Sequence, residues 1–163
     1  MSTAEKIKQL RDRKIELERI EAEWAKDCII NEFNLNEASI NTPKLHSKYL
    51  HFYNVAKAAL HETEQKYTQL LKFRWLWYEG KMSQEEIDKL NWSYDDPYNG
   101  LNLRSKQNRE MFWNADKVLH AGQSDIEYYK RCCDTLKEII DSIKFRHITI
   151  KNIIEHTRLQ SGL

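Results

Sequence analysis

Apolar and near-apolar residues recur at alternating steps of three and four from residue 126 onward. On an α-helix with about 3.6 residues per turn, such steps keep these residues on one stripe, and a sustained heptad repeat is typical of a helix that supercoils around partners. A second apolar column lies beside the first, so the face is wider than a two-stranded coiled coil needs. We therefore predict an assembly helix over residues 124–158. The residues predicted to contact neighbouring subunits are Ile126, Tyr129, Cys133, Leu136, Ile139, Ile140, Ile143, His147, Ile150, Ile153 and Ile154.

Two further stretches of the chain also have helical periodicity. Residues 4–26 place apolar side chains at helical spacing among charges of both signs, which predicts an amphipathic first helix. Thr42 and Pro43 are typical of a helix start, because threonine caps free amides and proline fits the first turn. The apolar stripe that follows ends at Gly80, so we predict a long second helix over residues 43–80.

Residues 83–122 are predicted to form short helices and a loop, because turn-forming residues interrupt the helical pattern there. Ser83 and Glu86 have the spacing of a capping box. The predicted elements are a helix from Ser83 to near Leu90, a loop from Asn91 to Ser105, and a helix over 107–120 that Gly122 ends before Ser124 caps the assembly helix. The whole chain, residues 1–163, is predicted to be a single all-α domain that forms homo-oligomers.

The composition agrees with long helices in a soluble protein. Charged residues make up 31% of the chain, and it has only four glycines and two prolines. No apolar run is long enough to span a membrane, and the N-terminus lacks the apolar core of a signal peptide. The three cysteines show no disulfide spacing, which fits a reducing compartment. We therefore expect an intracellular protein that does not bind a membrane.

Charge is unevenly distributed along the chain, although the net charge is only +1. Residues 43–82 carry seven basic and three acidic side chains, whereas residues 83–128 carry five and nine. This segregation predicts a local basic surface that an oligomer would repeat. A second basic group lies in the C-terminal helix, and we interpret it as a solvated helix face, with a second binding surface as the alternative. Its members are Lys144, Arg146, Lys151 and Arg158.

Motifs for catalysis or for cofactor binding are absent from the sequence. It contains no glycine-rich phosphate-binding loop, and neither the histidines nor the cysteines have the spacing of metal ligands. The serines occupy cap or turn positions, which is their ordinary structural use. We therefore predict that the protein is not an enzyme and that it holds neither a cofactor nor a metal.

The best candidate site lies at the end of the second helix, where basic and aromatic side chains are interleaved. Single-stranded nucleic acid binds to such surfaces through its phosphates and its unstacked bases. In this interpretation Lys72 and Arg74 point outward. The alternative, which composition alone favours, is that the aromatic side chains pack against a neighbouring helix. The candidate DNA-binding residues are Lys66, Lys72, Arg74, Trp75, Trp77, Tyr78 and Lys81.

Three segments in order, Pro43–Tyr49, Lys72–Gly80 and Ile143–Gly162, resemble the UvsY family of recombination mediators from T-even-like bacteriophages. The resemblance implies an all-helical protein that forms a heptameric, or alternatively hexameric, ring. It also implies binding to single-stranded DNA, to the phage recombinase and to the single-strand-binding protein, in the cytoplasm of an infected bacterium. The family's basic-x-basic DNA-binding motif falls on Lys72 and Arg74, and its assembly segment falls on the C-terminal helix.

Two features of the chain depart from the family pattern. The bulky Phe73 separates the two basic residues of the motif, and residues 91–109 match poorly. Nothing that the family does with residues 91–109 can therefore be transferred to this chain.

The function that follows is that of a single-stranded-DNA-binding mediator, which helps to load a recombinase onto DNA covered by single-strand-binding protein. A ring would repeat a weak site and gain avidity. The alternative is a structural coiled-coil adaptor that assembles proteins without binding nucleic acid. Quenching of tryptophan fluorescence by an oligonucleotide would distinguish the two functions.

Overall fold

The computed structural model describes residues 16–103 and 105–162, and every regular element within these ranges is an α-helix. The all-α class predicted from the sequence is therefore confirmed. None of the helices in these ranges is long and apolar enough to span a membrane. Residues 4–15 of the predicted first helix lie outside the described residues. The helices are α1 (16–27 in its described part), α2 (Leu35–Tyr78), α3 (Gln84–Leu90), α4 (Lys106–Asn114) and α5 (Lys117–Gln160).

The start of α2 differs from the prediction, because Pro43 lies inside the helix. The helix begins instead after Asn34, whose side-chain oxygen accepts a hydrogen bond from the amide of Glu37 at 3.3 Å. The carboxylate of Glu37 in turn accepts a bond of 2.6 Å from the Asn34 amide group. Proline removes one backbone hydrogen bond from a helix interior. The capped start upstream adds several such bonds, which offset that loss.

The end of α2 lies where the sequence predicts it. Gly80 has φ +64°, in the left-handed region that glycine adopts without steric cost. The amide of Gly80 donates to the carbonyl of Trp77 at 3.1 Å, and the amide of Lys81 donates to the carbonyl of Leu76 at 2.9 Å. These two bonds form a Schellman motif. The prediction that Gly80 ends the helix is confirmed.

Helix α3 has the bounds that its capping pattern predicts. The Ser83 hydroxyl accepts from the amide of Glu86 at 3.3 Å, and the Glu86 carboxylate accepts from the amide of Ser83 at 3.2 Å. The helix ends at Leu90, and Asn91 follows it in the left-handed conformation. The capping box is therefore confirmed.

The boundary between α4 and α5 lies earlier than predicted. Asp116 caps α5, since its carboxylate accepts from the amides of Val118 at 2.8 Å and Leu119 at 3.2 Å. Helix α5 then continues through Gly122, so the predicted stop at Gly122 and the predicted start at Ser124 are both wrong.

Gly122 has a packing role instead of a helix-ending one. A Cβ atom at this position would lie 2.7 Å from Cδ2 of Tyr67 and 3.2 Å from Cδ2 of Leu70. The missing side chain therefore lets α5 approach α2 closely at this point. This contact compensates for the low helix propensity of glycine.

The described residues form two compact units. Unit 1 comprises residues 16–56 and 131–162, and unit 2 comprises residues 57–103 and 105–130. Helices α2 and α5 each contribute residues to both units. The sequence predicts that the chain forms one domain, and this stays a prediction.

The core of unit 1 contains the centre of the predicted assembly seam. Tyr49 and Leu136 are fully buried, and the Trp24 ring packs edge-on against the Tyr49 ring at 5.4 Å between centroids. The prediction that the central seam residues face a neighbouring subunit is wrong, because they pack against α1 and α2 of their own chain. These seam residues are Leu136, Ile139, Ile140 and Ile143, and their partners in the core include Ile20 and Tyr49.

The other seam residues differ in exposure. Cys133 and Ile150 are buried, whereas Ile126, Tyr129 and Ile153 are intermediate. His147 is exposed, and Ile154 is 37% exposed. The contact of these residues with neighbouring subunits stays a prediction.

Candidate nucleic-acid interface

The basic and aromatic residues predicted to bind DNA lie in unit 2, on the last turns of α2 and in the turn that follows. Positions two residues apart on an α-helix are separated by about 200° around its axis. Lys72 and Arg74 therefore cannot share a face. Lys72 is exposed, whereas only 7% of the Arg74 surface is exposed.

Arg74 is held inside unit 2 by an ion pair with Asp116. Its Nε and Nη2 atoms donate to the Oδ2 atom of Asp116 at 2.9 and 2.5 Å. The guanidinium carbon also lies 4.1 Å from the ring centroid of Trp77 and 4.6 Å from that of Trp92. These distances allow cation–π attraction on a desolvated group. The expectation that Arg74 points outward is therefore wrong.

The protonation of this buried cluster follows from its contacts. Burial acts to raise the pKa of Asp116, but the hydrogen bonds from Arg74 and from the Leu119 amide outweigh it, so the pKa lies below its ordinary value. Burial and the nearby charge of Asp116 raise the pKa of Tyr78 to about 12. At neutral pH Asp116 is therefore a carboxylate and Tyr78 is a neutral phenol.

Trp77 and Tyr78 belong to an aromatic cluster within unit 2. The indole Nε1 of Trp77 donates to the carbonyl of Ser93 at 2.9 Å, and the Tyr78 hydroxyl donates to the carbonyl of Phe112 at 3.2 Å. The Tyr78 ring lies 5.6 Å from the Trp113 ring between centroids. For these two residues the structure favours packing, which was the alternative to base stacking.

Three of the four remaining candidates form an exposed basic-aromatic surface, which we define as Lys72, Trp75 and Lys81. Trp75 is 49% exposed, and Lys72 precedes it by three residues, so the two lie side by side on one helix face. The Lys81 ammonium lies 5.3 Å from the Trp75 ring centroid. Lys66 is also exposed, but its ammonium pairs with the Glu62 carboxylate at 2.6 Å.

Arg146 in unit 1 departs from the prediction in the same way as Arg74. It is buried, and its Nη1 atom donates to the carbonyls of Asp27 at 3.3 Å and Cys28 at 3.0 Å. Its Nη2 atom donates to the carbonyl of Ile29 at 3.1 Å. Arg146 thus satisfies carbonyls at the end of α1, and its assignment to a solvated face is wrong. The other members of that group are exposed, namely Lys144, Lys151 and Arg158.

Sequence reasoning missed Asp116, the residue that both caps α5 and neutralises Arg74. An aspartate in a break between two helical patterns is a typical cap signal. Its ion-pair partner, however, lies 42 residues earlier in the chain. The cap could have been recognised from the sequence, whereas the pair could not.

Comparison with known proteins gives concordant matches. The family model described as "Recombination, repair and ssDNA binding protein UvsY" matches residues 23–163. The recombination protein UvsY of Enterobacteria phage T4 is 24% identical over 146 residues, which cover 90% of this chain and 98% of that protein. Two crystal forms of the bacteriophage T4 recombination mediator protein UvsY are similar to this fold.

The first crystal form has a TM-score of 0.71 at 24% identity and covers 89% of this chain and 97% of its own. The second has a TM-score of 0.70 at 23% identity and covers 87% of this chain and 98% of its own. At these identities the structures are evidence for the fold alone.

Proposed function

We propose that this chain binds single-stranded DNA as a recombination mediator, because it belongs to the UvsY family of recombination, repair and single-stranded-DNA-binding proteins. In this role it helps to load a recombinase onto DNA covered by single-strand-binding protein. The exposed basic-aromatic surface is the observation that carries the proposal, since it combines charge for phosphates with a flat ring for a base. The role requires binding but no catalytic step.

In this proposal the two basic residues of the family-type motif, Lys72 and Arg74, have different roles. Lys72 contacts phosphate, because its side chain is exposed on the same face as Trp75. Arg74 is a positioning residue, since its guanidinium pairs with Asp116 and ties the end of α2 to the start of α5. Trp75 offers a partly exposed ring on which a base can stack.

Removal of Lys72 and removal of Trp75 should have different signatures in a salt titration. In a plot of the logarithm of affinity against the logarithm of salt concentration, Lys72→Ala should make the slope shallower by about 0.7 for each lost phosphate contact on a single strand. Trp75→Ala should weaken binding by about 1–3 kcal/mol with an almost unchanged slope, because stacking releases no counterions. Fluorescence anisotropy of a labelled oligonucleotide at several salt concentrations measures both effects.

Lys89→Ala is the matched control, because Lys89 is an exposed lysine of α3 that pairs with Glu85 at 2.7 Å. It should leave both the affinity and the salt slope close to the parent values. Negligible affinity of the parent protein at low salt would instead support the structural adaptor. A parent-like slope for Lys72→Ala would place the phosphate contacts on another surface.

We further propose that copies of the chain form a ring, heptameric or hexameric, through the outer side of α5. Phe145 is 63% exposed, Ile148 is 44% exposed and Leu159 is 79% exposed. Separations of three and eleven residues return to nearly the same face of a helix. These three residues therefore form an outer apolar stripe, on the side of α5 away from the core residue Ile143. A ring would repeat the DNA-binding surface and add avidity.

Phe145→Asp should reduce the size of the assembly in sedimentation velocity, because each contact between copies would then bury a carboxylate without a partner. Its far-ultraviolet circular dichroism should match the parent, since the Phe145 side chain lies outside the core. Ser47→Asp adds the same charge at an exposed position of α2, outside the outer apolar stripe, and should keep the parent size. Parent-like sedimentation of Phe145→Asp would place the subunit contacts elsewhere.

A further inference from the structure

A cleft of about 390 Å³ lies in unit 2, beside the end of α2 and apart from the exposed basic-aromatic surface. Concave sites of this size with apolar walls are typical of ligand and peptide recognition. The apolar lining comes from α2, the turn between α2 and α3, α3 itself and the loop after α3. It consists of Trp77, Tyr78, Met82, Ile87, Tyr94 and Pro97.

The loop that forms one wall of the cleft is held in place by hydrogen bonds. The Asp96 carboxylate accepts from the amides of Tyr98 at 3.0 Å and Gly100 at 2.7 Å. The Tyr94 hydroxyl donates to the Asp88 carboxylate, which fixes the Tyr94 ring against α3. Tyr94 as a whole is 59% exposed. A ligand would therefore meet a preformed wall and would not have to order it.

The polar part of the lining is acidic. Glu79, Asp95 and Asp96 contribute three carboxylates. The guanidinium of Arg109 approaches Glu79 only to 3.9 Å, at the limit of an ion pair. Burial, followed by the charge of Glu79, raises the pKa of Tyr98 nearby, which agrees with a negative local potential. This potential repels the phosphates of DNA and attracts cations.

We propose that this acidic-aromatic cleft docks a basic peptide segment of a protein partner. A lysine or arginine side chain of the peptide lies against the exposed Tyr94 ring beside Asp95, where cation–π and charge attraction act together. A neighbouring apolar side chain of the peptide contacts Ile87 and Trp77. The cleft uses none of the residues of the exposed basic-aromatic surface, so a docked peptide and bound DNA do not compete for the same side chains.

The test uses a fluorescein-labelled peptide of sequence Gly-Arg-Leu-Lys-Gly, with Gly-Glu-Leu-Asp-Gly as the acidic counterpart, in anisotropy titrations of the full chain at low salt. The basic peptide should bind and the acidic one should not. The double variant Glu79→Gln and Asp95→Asn should weaken binding of the basic peptide by about three- to tenfold, since it removes two charges and preserves the shape. Tyr94→Ala should weaken it to a similar degree through loss of the ring.

The matched control is the double variant Glu85→Gln and Glu110→Gln, which removes two exposed carboxylates that do not line the cleft. It should change peptide affinity by less than the cleft variant does. Equal weakening by both pairs would mean attraction to the whole acidic surface and would overturn the proposal, as would the absence of peptide binding. A change of assembly size in the cleft variant would assign the cleft to contacts between copies, which would also overturn it. Oligonucleotide affinity, measured in parallel, tests the DNA-binding proposal separately.

Discussion

Arg74→Ala should lower the free energy of unfolding by about 3–5 kcal/mol, because it leaves the Asp116 carboxylate buried without its charged partner. The side chain of Asp116 is only 1% exposed, so water cannot replace the lost contacts without rearrangement of unit 2. The substitution also removes the cation that lies against the rings of Trp77 and Trp92. Urea denaturation monitored by tryptophan fluorescence measures the loss.

Two controls separate the buried ion pair from a general effect of removing charge. Lys72→Ala should change the free energy of unfolding by less than about 0.5 kcal/mol, because Lys72 is exposed. The double variant Arg74→Ala and Asp116→Ala should lose less than the sum of the single variants, since neither charge is then left alone. If Arg74→Ala lost DNA binding at parent stability, the guanidinium would be a direct contact and its buried position would be contradicted.

The ion pair of Arg74 and Asp116 should make the free energy of unfolding depend on pH in the acid range. The folded-state pKa of Asp116 lies below its ordinary value of 3.8, so the contribution to stability is fully present above that value. It is lost as the pH falls through the folded-state pKa, where the carboxylate takes up a proton. Asp116→Asn should remove this part of the acid dependence in denaturation curves measured across that range.

Leu136→Ala should lower the free energy of unfolding by about 3–5 kcal/mol, because it removes a fully buried side chain from the core of unit 1 and leaves a cavity. Since the partners of Leu136 belong to its own chain, the loss should be the same at low and high protein concentration. A contact between subunits would instead give a loss that varies with concentration. Denaturation at two protein concentrations makes the distinction.

Ile154→Ala is the control for this core, because Ile154 belongs to the same predicted seam but is 37% exposed. It should cost less than about 1.5 kcal/mol, since less apolar surface is buried there. A loss for Leu136→Ala that grows on dilution would contradict the assignment of the seam centre to an intramolecular core.

The amino-acid sequence by itself determined the features whose causes are local. The capping box of Ser83 and Glu86 and the glycine at position 80 act within a few residues of the chain, so the pattern alone located the end of α2 and both ends of α3. The helical class follows from periodicity in the same way. The predicted start of α2 was wrong because two local signals competed. The Asn34 cap outweighed Pro43, so the helix begins after Asn34. Helix geometry alone also predicts that Lys72 and Arg74 point in nearly opposite directions, because they are two residues apart.

Only the tertiary structure decided what each face contacts. An apolar stripe on α5 indicates burial, but a stripe covered by its own chain and one covered by a neighbouring subunit have the same periodicity, and here Ile143 packs within the chain. Likewise, a basic residue in a motif is equally compatible with a phosphate and with a buried carboxylate. Arg74 meets Asp116, 42 residues away, and Arg146 meets the carbonyls that end α1. Such partners are brought together by chain folding, and periodicity along the sequence carries no information about which residues meet across that distance.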